Sequence, residues 1–260
     1  MVVRIRAISR PVYIYLRTMI PFAVLWYCLS LYIGNQAMLP TPIDVLRALG
    51  ILASGPELWG HMITSMRRLA VGYGLAIVFG LTLGICMGQV RLVHELVDPV
   101  IELLRPVSGI AWIPLALILL GVGDDLTMFI LFYGSVFPMI INTVAGVRGS
   151  DPVLIRAART FGVSRFGLLT QVVLPGALPT ILVGARISLG AAWMSIVAAE
   201  LIGAPTGLGF AIEWYRQMLM TPKTISVIIV IGMLGYCSDR LLRYVRGRLT
   251  PWAVGLKVGE

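Results

Sequence analysis

The sequence predicts an all-α, polytopic membrane protein, and three observations carry that prediction. Of 260 residues, 58% are hydrophobic and 13% charged, with a mean hydropathy of +0.91, more apolar surface than a soluble domain of this length can expose without aggregating. The apolar residues gather into six stretches, near 13–33, 68–89, 97–120, 126–147, 178–202 and 223–242. Each is close to the roughly 20 residues a helix needs to cross a bilayer at about 1.5 Å per residue. Finally, the arginines sit at the ends of apolar runs rather than in a basic block interleaved with aromatics, so the net charge of +9 reads as membrane topology and not as a nucleic-acid surface.

The first stretch follows Arg4, Arg6, Arg10 and Arg17, the charged lead of a signal peptide, but no small-x-small cleavage site follows it. It is expected to be an anchor, within a first segment of residues 1–56. Beyond it, Thr41 and Pro42 can start a short interfacial helix through Ala53, and Glu57–Met66 is expected to form a second helix lying on the membrane surface. In the second stretch Gly80, Gly84 and Gly88 recur every four residues, giving a face on which another helix backbone can approach closely. Pro106, Pro114 and Pro138 interrupt the third and fourth stretches; freed carbonyls at membrane depth are tolerated where neighbouring helices or a cavity satisfy them.

Orientation follows from the basic residues. With the N-terminus inside, the inner segments collect Arg4, Arg6, Arg10, Arg17, Arg91, Arg148, Arg156, Arg159, Arg165, Arg240, Arg243, Arg246, Arg248 and Lys257, leaving Arg47, Arg67, Arg68, Arg216 and Lys223 outside. Both termini are therefore expected in the cytoplasm, with the tail spanning 246–260.

That topology leaves the polar segment Arg156–Pro175 on the cytoplasmic side. Asp151 suits an N-cap and Pro152 the first helical position, where its missing N–H costs nothing. A helix is expected to about Phe161, with Val153, Leu154, Ala157, Ala158 and Phe161 in one stripe and Arg156 and Arg159 turned away. Gly162 fits a left-handed C-terminal turn, and Ser164 caps a second helix that Pro175 is expected to interrupt. Such a helix, turn and helix can dock a partner or simply pack on its own bundle.

The segment resembles the signature loop of ATP-binding-cassette importer permeases, which reads E-A-A, three residues, Gly, nine residues, an aliphatic residue, any residue, then Leu-Pro. Ala157, Ala158, Gly162, Val172, Leu174 and Pro175 fall in register, and Arg156 stands where the family has Glu. The resemblance runs from about Leu39 to Leu242. LPTP at Leu39–Pro42, RRLAVGYGLA at Arg67–Ala76, LLRPVSGIAWIPLA at Leu103–Ala116 and WMSIVAAELI at Trp193–Ile202 are similar to the nitrate, taurine, alkanesulfonate and bicarbonate permease group. That group tends to have two prolines after the valine where this chain has Ser108 and Gly109.

The resemblance implies a type I importer permease fold over residues 57–245, with a coupling loop at 148–177. Leu154, Arg156, Ala157, Ala158, Arg159, Phe161, Gly162, Leu174 and Pro175 would then face a partner ATPase. The chain has no G-x-x-x-x-G-K-[ST] phosphate loop around Lys223 or Lys257. Hydrolysis, with its ATP and Mg, is expected on two ATPase subunits, and this chain is expected to bind no cofactor itself. A second permease copy would complete the pathway, a homodimer or a pair with a sister permease, and a periplasmic or surface binding protein would deliver a small anionic or zwitterionic nutrient. Aliphatic sulfonates or taurine lead, followed by nitrate or bicarbonate. The expected setting is the bacterial inner membrane, in contact with lipid.

Polar groups at membrane depth mark the expected path: Arg105, Ser108, Trp112, Asn142, Trp193, Ser195 and Glu200. A guanidinium suits an oxyanion, but Arg105 can equally pair with Glu102 or Asp98. Glu200 can serve a gate or an outer partner, or pair with Arg67 or Arg68. Cys28, Cys86 and Cys237 give neither a disulfide framework nor metal spacing, and His61 and His94 lack catalytic partners. Asp124 and Asp125 are read as a solvated outer turn. An enzyme is thereby set aside, and an ion-coupled secondary transporter is the rival, expected to carry more ionisable groups at mid-membrane.

Overall fold

The computed structural model describes residues 2–252, with side chains from Arg17 onward apart from Thr18. Arg4, Arg6, Arg10 and Lys257, which entered the orientation argument, and the tail past position 252 lie outside the described residues or side chains. Among the described residues the chain is helical, without strands. The helices are α1 (Val2–Ile33), α2 (Pro42–Ser54), α3 (Pro56–Gln89), α4 (Arg91–Leu104), α5 (Ile113–Leu120), α6 (Asp124–Arg148), α7 (Pro152–Thr160), α8 (Arg165–Leu168), α9 (Leu174–Gly203), α10 (Leu208–Gln217) and α11 (Thr221–Leu249).

Among the described residues four helical runs are long and apolar enough to cross a membrane, α3, α6, Arg165–Gly203 and α11, and α4 with Gly109–Leu120 makes a fifth if that bent pair is one span. The stretch expected at 97–120, with its interruption at Pro106, is a pair of helices that together are apolar and long enough for one broken span. α4 and the Gly109–Leu120 segment meet at 81°, because Pro106 cannot donate a backbone bond and Ser108, in extended conformation, starts a new short 3₁₀ turn at Gly109. The first expected span lies within the 32-residue α1, of which Met19–Ile33 is an apolar helix; its start near position 13 lies among residues whose side chains are not described. Glu57–Met66 is no separate surface helix; it is the beginning of the 34-residue α3, since no Gly-Pro stop separates it from Arg67.

The contacts divide the chain into two units, one drawn from the described residues up to Gly60 with Ala211–Val230, the other from His61–Phe210 with the described residues from Ile231. In the first, Trp26 Nε1 donates to the Pro40 carbonyl at 3.1 Å and Ser30 Oγ to Leu39 O at 2.8 Å. Thr41 caps α2 as expected, accepting from Asp44 N. Val45 and Ala48 of α2 are buried, and Ser226 Oγ donates to Val45 O at 3.0 Å.

The second unit is built around α6. A Cβ added at Gly80, Gly84 or Gly88 would lie 2.7, 2.6 or 2.5 Å from Met139, Thr143 or Val147. The glycine stripe of α3 therefore receives a matching four-residue stripe of α6 at backbone distance, as the sequence pattern predicts. On its other side α6 packs against α9, where added Cβ atoms at Gly134 and Gly184 would collide with Ser195 and Asn142. Tyr73 Oη donates to Ala185 O at 2.7 Å, joining α3 to α9.

Gly84→Leu is expected to destabilise the protein by about 1–3 kcal/mol or more through overpacking. Gly74→Ala, where an added Cβ meets nothing within 4 Å, should be neutral or mildly stabilising. Thermal midpoints of the two variants in detergent check this pair.

Candidate functional site

The bend after α4 opens a cavity of about 590 Å³ against α6 and α9, walled by Arg105, Ser108, Tyr133, Phe137, Asn142 and Ser195 among others. Tyr133 Oη donates to Leu104 O at 2.7 Å, so a carbonyl at the break is satisfied by α6. Ser108 Oγ accepts from Ile110 N at 3.3 Å and holds the new turn. Arg105 lies just past the end of α4 and makes no ion pair among the described residues; Asp98 instead lies 3.7 Å from His94 Nε2. Four of the expected path residues, Arg105, Ser108, Asn142 and Ser195, thus converge on one cavity from three elements.

The wall supplies a guanidinium, two hydroxyls and an amide beside aromatic surface, a combination that can hold a small oxyanion and its short apolar portion. Tyr133 and Phe137 were not singled out from the sequence. Their signal was the aromatic ladder Phe129, Tyr133, Phe137 at helical spacing, with neighbouring ring centroids 6.3 and 5.1 Å apart.

Three expected path residues do not line this cavity. Trp112 packs on Tyr133 with centroids 5.7 Å apart. Trp193 is buried in the core cluster with Leu69, Leu131 and Leu189. Glu200, 1% exposed, accepts from Ser65 Oγ at 2.8 Å, Arg68 Nη1 at 3.0 Å and Gly209 N at 3.0 Å. Arg68, equally buried, also donates from Nη1 to Thr206 O at 2.6 Å and from Nε to Asp124 Oδ1 at 2.7 Å. Gly207 takes φ +117°, and a Cβ there would strike the Glu200 carboxyl, so only glycine closes this turn. Arg67 donates to Asp124 Oδ2 at 2.7 Å. Asp124 is accordingly no solvated spectator; two adjacent arginines facing two adjacent acids were the available hint.

At the other end of α6, Arg148 donates to Met87 O at 3.3 Å, and α7 follows. Asp151 caps α7 by accepting from Val153 N at 2.7 Å, and Pro152 starts the helix. Gly162 has φ +75°, and Ser164 Oγ accepts from Gly167 N at 3.1 Å, all as expected. Pro175 does not interrupt the second helix: the π-helical turn Leu169–Val173 precedes it and α9 continues from Leu174, the widened turn absorbing the hydrogen bond that Pro175 cannot make. Val153, Leu154, Ala157 and Phe161 are exposed, Phe161 at 86%, with Phe166 at 75% beside them. Ala158 is half-buried, and Ile155 turns inward to the cluster of Val147 and Val173. Arg156 and Arg159 are exposed on the flank of the helix, and Leu174 and Pro175 begin α9.

The family model described as binding-protein-dependent transport system inner membrane component matches residues 76–251. The chain belongs to this family. A putative ABC transporter permease protein of Methanocaldococcus jannaschii is 39% identical over 240 residues, covering 90% of both chains. The taurine transport system permease protein of Escherichia coli is 37% identical over 252 residues, covering 94% of this chain and 91% of its own. Among solved structures, the inward-facing MetNI methionine ABC transporter matches with a TM-score of 0.56 at 20% identity, covering 70% of this chain and 92% of that one. The protein is an ABC transporter permease with the type I importer fold, a multi-pass membrane subunit.

In this permease, Arg68→Met is expected to cost about 3–5 kcal/mol by leaving Glu200 charged and buried. Arg68→Met combined with Glu200→Leu should recover part of that loss. Midpoints of the single and double variants, measured side by side, decide it.

Proposed function

We propose that this chain is the permease subunit of an ATP-driven, binding-protein-dependent importer, with both termini cytoplasmic and a second copy completing the path. The substrate is a small sulfonate of the taurine type, with nitrate or bicarbonate as the next choices. The observation that carries the reading is that one bundle holds both parts an importer needs. A cavity with Arg105, free of ion pairs among the described residues, lies against the middle of α6, and a capped helix with an exposed apolar stripe follows its end.

In this reading Val153, Leu154, Ala157 and Phe161 seat in a groove of a partner ATPase, which carries the ATP and Mg. Arg156 lies at the rim of that contact, so the missing family carboxylate alters its edge more than its centre. Closure of the ATPase pair displaces α7, and the bundle exchanges inward for outward access. Arg105 meets the sulfonate by forked hydrogen bonds while Tyr133 and Phe137 cover its carbon portion. The relative that transports taurine supports this substrate class.

The decisive experiment is uptake into vesicles containing the permease, the neighbouring ATPase and the neighbouring binding protein. Taurine uptake should require ATP; uptake driven by an ion gradient without the ATPase would favour a secondary transporter instead. Arg105→Gln should lower uptake roughly tenfold to a hundredfold, as expected for losing a hydrogen bond to a charged group worth about 1.5–3 kcal/mol. Gly162→Val places a β-branched residue at φ +75°. It should abolish transport while the protein still reaches the membrane, and unchanged coupling of hydrolysis to uptake in that variant would count against the docking role of α7.

A further inference from the structure

A second concavity, of about 530 Å³, lies between α9 and the part of α11 from Ile231 onward, on the far side of Ile187 from the path cavity. Its wall changes character along its length. At one end Arg186 pairs with Asp239, which is also 2.7 Å from Arg243 Nη2. Arg246, on the same wall, makes no ion pair among the described residues. Three guanidiniums thus stand against one carboxylate. About 10 Å along α9, at 1.5 Å per residue, the wall becomes Gly190, Trp193, Ile231 and Gly232. Here the buried indole N–H of Trp193 has no partner among the described residues.

The glycines of this wall differ from those of α3. Gly80, Gly84 and Gly88 are filled by side chains of α6, whereas a Cβ at Gly190, Gly232 or Gly235 meets nothing within 4 Å. Among the described residues, nothing fills their smooth surface.

We propose that this groove binds one anionic phospholipid. The phosphate sits among Arg246, Arg186 and Arg243, and one acyl chain lies over Gly235, Gly232 and Gly190 toward Trp193. Both helices belong to runs able to cross a membrane, so a lipid chain parallel to them runs in its natural direction. Basic pockets between membrane helices suit anionic headgroups through forked, charge-assisted bonds. A free phosphate would use the arginines and leave the apolar half empty. A second copy whose two-fold axis ran through this groove would bring the same arginines face to face.

The test is the thermal midpoint of the full chain in detergent with phosphatidylglycerol, phosphatidylcholine or inorganic phosphate, together with native mass spectrometry. Phosphatidylglycerol should raise the midpoint saturably and remain as one lipid per chain, while the other two additions leave it unchanged. Arg246→Gln should weaken that lipid at least tenfold. Gly235→Leu, or Gly190→Leu should the first fail to fold, should remove the bound lipid and leave the lipid-free midpoint in place. Equal stabilisation by phosphatidylcholine or by phosphate overturns the proposal, as does undiminished lipid binding by Arg246→Gln. A change in the number of permease copies per complex in the glycine variants, with lipid retained, assigns the groove to a second copy.

Discussion

The contact on which the helical unit depends is the backbone-distance packing of α6 between α3 and α9. Neither lipid nor protein gains from the hydrophobic effect when apolar helices meet in a membrane, so close approach and dispersion must supply the attraction. Gly80, Gly84 and Gly88 let Met139, Thr143 and Val147 reach the α3 backbone, and Gly184 does the same for Asn142 from the opposite side. Fixing α6 in this way also fixes Tyr133, and Tyr133 holds the Leu104 carbonyl at the bend. The cavity lies where the bent segment after α4 meets this tightly packed pair, with walls from the bend, α6 and α9.

The Arg68 cluster closes one end of the same bundle. Two buried charges are costly in a low-dielectric setting, and a pair alone seldom repays that cost. Here the carboxylate of Glu200 also accepts from Ser65 and Gly209, and the guanidinium also reaches Asp124 and Thr206. The network ties α3, the start of α6, the end of α9 and the turn before α10 to a single point. Its value is specificity of register, since sliding α3 by one residue would strand both charges.

The sequence makes some of this legible and hides the rest for physical reasons. Capping chemistry is local, so Asp151, Pro152, Gly162 and Ser164 declare their turn within a dozen residues, and the spacing of the α3 glycines declares a helix-contact face. Pairing over long sequence distance leaves a weaker mark: that Glu200 can pair with Arg67 or Arg68 is legible, and the pair with Arg68 is what the structure shows, whereas nothing near Asp124 says that it meets both of those arginines. Proline misleads in both directions. Pro106 does break its span, whereas Pro175 does not, because the preceding chain widens by one residue and keeps going. Trp193 and Trp112 illustrate that a large amphipathic ring at membrane depth is as readily packing as pathway.

The continuity past Pro175 has a mechanical consequence. Arg165–Gly203 is one run of 39 residues, about 58 Å at 1.5 Å per residue, joined to α7 by only the turn around Gly162. The two places in this run where a helix bends most readily are the π-helical turn Leu169–Val173 and Pro179. A tilt of about 5° at the α7 end of a rod this long carries the far end, where Glu200 sits, through about 5 Å. Whatever part of such a swing those two places do not take up would meet resistance at the buried charges near the far end, where Glu200 is held by Arg68, Ser65 and Gly209.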